Sequence, residues 1–309
     1  MNKKIAVQKI NQLTGHKASI FTIGAYQSST AFLSGAGEGW AVAWDIHQVD
    51  KGQLVAEVEG NIFSSIYLQA QNYLLLGNMY GNIYWIDLGV QKAIKNTVAH
   101  QRGVFDILSV APYIYTVGGD GNLLKWQHEP QIQLLEILDL SNHSLRTIRY
   151  LKHRAELVIG GSDRMIHILD AQTMELKQQI IEAHRSSVFN LAISPCERYL
   201  LSGGRDAKLK IWDIEQNYAL FKSIPAHLYT INHILYHPLG KCFATASRDK
   251  SIKIWDAESF DLLKVITFEK YLGHSRSVNK LYWLPDPPHY LVSASDDQSL
   301  IIWQVNLTA

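Results

Sequence analysis

Three stretches decide how this chain is read: Ser202–Asp213 (SGGRDAKLKIWD), Thr245–Asp256 (TASRDKSIKIWD) and Ser293–Gln304 (SASDDQSLIIWQ). Each begins on a small hydroxyl residue, passes an acid in a tight turn and closes an apolar run on tryptophan. Working outward, the same pattern returns in IGGSDRMIHILD (Leu169 in the Trp slot), TVGGDGNLLKWQ (Trp126), LGNMYGNIYWID (Trp85) and SGAGEGWAVAWD (Trp44). Successive Trp-slot positions lie 41, 41, 43, 43, 43 and 48 residues apart, so seven units fill the chain. A fixed period of this length is the signature of a repeat architecture.

Within a unit, a Gly-His or Ala-His pair precedes one apolar segment (VFNLAIS), then a second (YLLSGG), a turn, a third (KLKIWD) and a short fourth (ALFKSI). Short runs rich in Val, Ile, Leu, Tyr and Phe, punctuated by Gly, Asn, Asp or Ser-Pro, read as a four-stranded antiparallel meander. No stretch sustains a 3.6-residue period, so helices should be rare. The last unit has six residues after Trp303, too few for a fourth strand, whereas IAVQKI precedes Gly15-His16 in the first. A ring solves both: the N-terminal strand supplies the outer strand of the last blade and removes an open edge.

These motifs resemble the WD-repeat family over the entire chain, 1–309, which is expected to be one all-β domain. The resemblance implies a seven-bladed β-propeller of four-stranded antiparallel blades, closed by the N-terminal strand. It also implies a structural relay from Trp indole through a hydroxyl to His and Asp: His100, Thr116, Asp120, Trp126; His184, Ser202, Asp206, Trp212; His227, Thr245, Asp249, Trp255; His274, Ser293, Asp297, Trp303. A Ser-His-Asp set recurring once per blade reads as scaffold, because an active site is needed once. Blade 1 is nearly complete, with His16, Ser34, Glu38 and Trp44. Blade 2 departs, with Val58, Leu76 and Tyr80 in the His, hydroxyl and Asp slots. Blade 4 departs too, with Ser141, Ile159 and Leu169 around a lone Asp163. Both are expected to rely on apolar packing and to be the softer part of the ring.

Composition removes other classes. The chain has 29 Lys and Arg against 28 Asp and Glu, a formal charge of +1, so no global field points to nucleic acid or an acidic membrane. At 47% hydrophobic residues there is ample material for a core. Two cysteines, Cys196 and Cys242, with no CxxC, suit a reducing compartment, and the expected location is cytoplasmic. Polar residues interrupt MNKKIAVQKINQ, so it does not read as a signal peptide, and no apolar run approaches a membrane span. Glycines 35, 37 and 39 precede a strand rather than a helix, which argues against a phosphate cradle. His233 and His237 fall on a predicted strand, where four residues span about 13 Å, too far for one metal. HExxH, GxSxG and GxxxxGK[ST] are absent. The expectation is a protein that is not an enzyme and needs no cofactor or metal.

A propeller presents two faces and a channel mouth. The position just inside the first strand of each blade carries Phe21, Phe63, Phe105, Arg146, Phe189, Asn232 and Asn279. The turn before each Asp slot carries Gly37, Met79, Gly119, Ser162, Arg205, Arg248 and Asp296. Of ten arginines, seven map to this face: Arg102, Arg146, Arg164, Arg185, Arg205, Arg248 and Arg276. Arginine and aromatic residues give stiff contact area, and the guanidinium fork suits carboxylate or phosphate. The expected partner is therefore an acidic or phosphorylated protein or peptide. A chain monomeric alone and part of a larger complex fits this reading. A nucleic-acid-associated subunit using the same arginines is the alternative, disfavoured by the neutral net charge. A propeller enzyme at the channel mouth finds no cluster of acids or nucleophile. About four extra residues near Glu269–Leu272 should overhang this face between blades 6 and 7, with one more in Pro285–His289 on the opposite side.

Overall fold

The computed structural model describes residues 4–90 and 92–308; the basic first three residues lie outside them. The described strands form seven four-stranded antiparallel sheets, each a meander of consecutive strands except the last. The first strands of successive blades face one another around a central axis. Among the described residues, helix is limited to a one-turn segment, Phe268–Tyr271, and a 3-10 turn, Lys152–Arg154.

Both faces of each blade are covered by neighbours, so the middle strands are apolar on both sides. Apolar clusters bridge adjacent blades: Leu201, Leu209 and Ile211 of blade 5 pack with Ile231, Phe243 and Trp255 of blade 6. The fourth strands sit at the rim and are largely exposed, as in Ala219–Pro225. In the last sheet, Lys4–Leu13 pairs with Leu300–Thr308, with Ile5 opposite Leu307, Lys9 opposite Trp303 and Leu13 opposite Leu300. The ring therefore closes with a strand from the start of the chain as the outer strand of blade 7.

Five blades have the same hydrogen-bonded chain. In blade 5, Trp212 Nε1 donates to Ser202 Oγ at 2.9 Å, His184 Nε2 meets that hydroxyl at 2.7 Å, and His184 Nδ1 meets Asp206 at 2.9 Å. Proton inventory fixes the roles: the hydroxyl accepts from indole and donates to Nε2, leaving the Nδ1 proton for the carboxylate. The corresponding His–carboxylate distances are 2.5 Å for His16–Glu38, 2.9 Å for His100–Asp120, 2.8 Å for His227–Asp249 and 3.0 Å for His274–Asp297. Trp44, Trp126, Trp255 and Trp303 donate to Ser34, Thr116, Thr245 and Ser293. Each Asp also accepts backbone N–H groups, as Asp206 does from Arg185 and Lys208. Burial, the largest single influence, would raise the Asp206 and Asp120 pKa values; the His hydrogen bond, the His charge and two backbone N–H bonds together outweigh it and hold both at about 2.

Blades 2 and 4 differ from expectation in instructive ways. In blade 2, Leu74 pairs with Ile86 and Leu75 with Trp85. In blade 3, Ile114 pairs with Trp126 and Thr116 with Leu124. Ile86, not Trp85, therefore occupies the Trp slot. Side chains alternate along a strand, so one residue of offset sends Trp85 to the opposite face. There it packs at 6.2 Å from the Trp126 ring of blade 3, with its indole N–H unpaired. The missing histidine leaves space that Asn78 fills: its amide accepts from the Tyr80 and Asn82 N–H groups and donates to the Glu59 carbonyl at 2.7 Å. In blade 3 this position is Gly118, where a Cβ would lie 2.4 Å from the His100 ring. Asp163 of blade 4 is not alone. His167, from the third strand, reaches it at 2.8 Å through Nε2, Ser141 donates at 2.7 Å, and Gln179 donates to His167 Nδ1 at 3.0 Å. Neither blade relies on apolar packing alone, because each has rebuilt a polar tie inside its turn.

The insertion before blade 7 folds as the one-turn helix, with Phe268 and Leu272 exposed. Lys9 on the closing strand donates to the Leu272 carbonyl at 2.7 Å. His233 and His237 do not share a site. His233 Nδ1 accepts from Leu281 N, whereas His237 packs its ring on Trp283 and His289. Among the described residues no group of His, Cys, Asp or Glu is arranged to hold a metal ion.

Candidate functional site

Every first strand carries the same irregularity. Pairing skips one residue between Ile20 and Thr22, Ile62 and Ser64, Val104 and Asp106, Leu145 and Thr147, Val188 and Asn190, Ile231 and His233, and Val278 and Lys280. The skipped residues are Phe21, Phe63, Phe105, Arg146, Phe189, Asn232 and Asn279. A bulge re-aims the side chain of its extra residue. Here seven bulges turn all seven into one concavity of about 320 Å³ at the channel mouth.

The seven make a graded ring. Phe21 meets Phe63 edge-on at 5.4 Å, and Phe63 stacks on Phe105 at 5.5 Å. The Arg146 guanidinium then lies between Phe105 at 4.3 Å and Phe189 at 5.2 Å, and its Nε donates to Ser162 Oγ at 3.0 Å. Cation–ring contacts of this kind contribute about 0.5–2 kcal/mol and hold the group stiff. Burial, and then nearby Arg205, lower the Arg146 pKa, although an arginine remains charged there. Asn232 and Asn279 complete the ring with amides: Asn232 donates to the Val278 carbonyl at 2.8 Å, and Asn279 to the Ile20 carbonyl and Asp296. The phenylalanines thus pack on one another across blades while lining the mouth.

Arg205 and Arg248 stand elsewhere. Both are exposed in turns, with their N–H groups bonded to the Ser187 and Thr230 carbonyls, and neither lines the concavity. Arg102, Arg164, Arg185 and Arg276 are likewise exposed. All six stand outside the residues that line the cavity, and Arg164 lies 4.0 Å from Glu182.

A second layer went unread in the sequence. The residue after each bulge is polar: Thr22, Ser64, Asp106, Thr147, Asn190, His233 and Lys280. Several reach the next blade. Asp106 accepts from Ile148 N at 3.1 Å, Asn190 from Ile234 N at 2.9 Å, and His233 from Leu281 N at 3.3 Å, while Ser64 donates to the Val104 carbonyl. Arg149 Nη1 closes on Asp106 at 2.7 Å. Asp106, Asn190 and Lys280 line the same cavity as the seven bulge residues. The signal was present as an unbroken polar column one place beyond the Phe/Arg/Asn positions.

Fold and mouth together define a closed seven-bladed propeller with its side chains gathered at one end of the axis. Residues 176–213, 219–256 and 264–304 match the model of the WD domain, G-beta repeat. The WD40 β-propeller domain of Doa1 superposes with a TM-score of 0.84 over 96% of both chains at 18% identity. Residues 176–304 thus contain three WD repeats, and the described strands as a whole close a seven-bladed β-propeller. It is also similar to the THO complex subunit 6 homolog of Danio rerio, 28% identical over 166 residues, which are 46% of this chain. The match spans 50% of that relative's length.

Proposed function

We propose that this protein is a non-catalytic scaffold that captures an acidic or phosphorylated segment of a partner protein at the channel mouth. The observation that carries the reading is Arg146, stacked between Phe105 and Phe189 in a ring of phenylalanines. A guanidinium held this way can meet an anion while the rings receive the apolar stem beside it. The exposed arginines would steer such a segment. A subunit role within a larger assembly fits the similarity to a protein named as a subunit of the THO complex. Cys196 and Cys242, which form no disulfide, fit work in the cytoplasm.

The test is an array of acidic, phosphorylated, neutral and basic peptides probed with the intact protein. Acidic spots should be retained, weakened by salt, and lost with Arg146→Glu or with Arg205→Glu and Arg248→Glu combined. Retention indifferent to charge and to these variants would overturn the reading. The second reading, a nucleic-acid-associated subunit, rests on the same exposed arginines. It requires RNA or DNA binding with a steep salt slope.

A further inference from the structure

Six members of the second polar layer are occupied by neighbours. Thr22 bonds Ser65, Ser64 bonds the Val104 carbonyl, Thr147 donates to Asp106, and Asp106, Asn190 and His233 accept N–H groups of the following blade. Lys280 is the exception. It lines the cavity, yet among the described residues its ammonium has no hydrogen bond or close ion pair. An ammonium has only donors, so it cannot serve the next blade's backbone as Asn190 and His233 do. The carboxylate whose field it feels, Asp106, is already bound by Arg149, Thr147 and Ile148 N.

Charge narrows what the cavity can take. Arg146 and Lys280 are the cations that line the cavity, and Asp106, the acid among its lining residues, is already paired with Arg149 behind it. Asp296 lies outside the lining and is taken by Asn279. His233 adds no charge, since burial, reinforced by Lys280 and Arg149, holds its pKa well below the usual value. Two positive charges are thus left uncompensated. A carboxylate would neutralise one. A phosphomonoester carries about −1.5 to −2 at pH 7 with three acceptor oxygens, which suits both charge and donor count. Building on the mouth reading above, we infer that the ligand's anion passes the phenylalanine ring and is held in the channel by Lys280, and that it is a phosphomonoester dianion. Lys280 is then the residue that separates phosphorylated ligands from merely acidic ones.

The experiment uses the whole protein with 13C-labelled lysines, its Lys280 ε-methylene signal assigned by Lys280→Arg. The probes are N-acetyl-phosphothreonine methylamide, the corresponding glutamate amide and inorganic phosphate. The Lys280 signal should move saturably with the phosphothreonine amide, at least about tenfold tighter than with the glutamate amide. Lys280→Met should abolish that preference while leaving the thermal midpoint close to wild type. Inorganic phosphate binding as tightly as the amide would assign the site to a free phosphate compound; tighter amide binding assigns it to a protein side chain. A Lys280 signal unmoved by every probe overturns the inference, and so does equal response to glutamate and phosphothreonine. Neither result touches capture of acidic peptides through Arg146, which the array reads separately. Conversely, a shifted Lys280 with an Arg146→Glu array unchanged would keep the channel site and remove the mouth reading.

Discussion

One hydroxyl in each complete blade has two neighbours that depend on it. Ser202 accepts the Trp212 indole proton and meets His184 Nε2, all three buried. Ser202→Ala strands a donor and an acceptor in a dry interior, where each unsatisfied group costs about 1–3 kcal/mol. Urea unfolding should show a lower midpoint with an unchanged slope. A loss under about 0.5 kcal/mol would mean that the relay is decorative. Legibility at this scale was high where residue type alone decides. The recurrence of His, Ser or Thr, Asp and Trp at fixed spacing located five relays before any geometry was known. It failed where one type replaced another from a different strand. Blade 4 takes its imidazole from His167 in the third strand, and no spacing rule built on the other blades reaches that position.

At the scale of the strand, register is the hidden variable. Alternating polarity fixes register only when one face meets water, and here both faces are buried. Tyr84, Trp85 and Ile86 are all compatible with either face by polarity, and the offset shows only in the count, since Trp85 lies five residues after Tyr80 where Trp126 lies six after Asp120. The offset has a measurable consequence. Were Trp85 a relay tryptophan, Leu76→Thr would supply its missing hydroxyl and stabilise blade 2. With Ile86 in that slot, Leu76→Thr buries a hydroxyl away from the Trp85 indole and should cost about 1–3 kcal/mol, read as a lowered thermal midpoint. The bulges were harder to read. A bulge is a count of residues on one strand against its partner, and only pairing reveals the count. Sequence position still selected the seven ring residues, because the bulge recurs at one place in every repeat.

For the whole molecule, pH acts on many similar sites together. Burial lowers the pKa values of His16 and His227 below the 6.5 of an unperturbed imidazole. As pH falls through 6.5 the unfolded chain therefore binds protons that the folded ring refuses, and stability drops. The carboxylates work lower on the scale. Asp120 and Asp206, at about 2 against an unfolded 3.8, contribute stability that is present above 3.8 and lost as pH falls towards 2. Thermal midpoints should be highest above about pH 7, decline between about 6.5 and 5, and fall again below about 4. A midpoint that rises from pH 7 to pH 5 would contradict the buried, neutral imidazoles.

The pairing of Lys4–Leu13 with Leu300–Thr308 also sets an order of events. On a ribosome the first of these segments emerges early and its partner only after the other blades have been translated. Until then blade 7 does not exist, and residues 4–13 are a strand without a sheet. The first six blades can assemble as they emerge, but the circle is sealed only once residues 300–308 have appeared. A nascent or prematurely ended chain would therefore display two sticky borders, the kind of surface that chaperones are needed to shield.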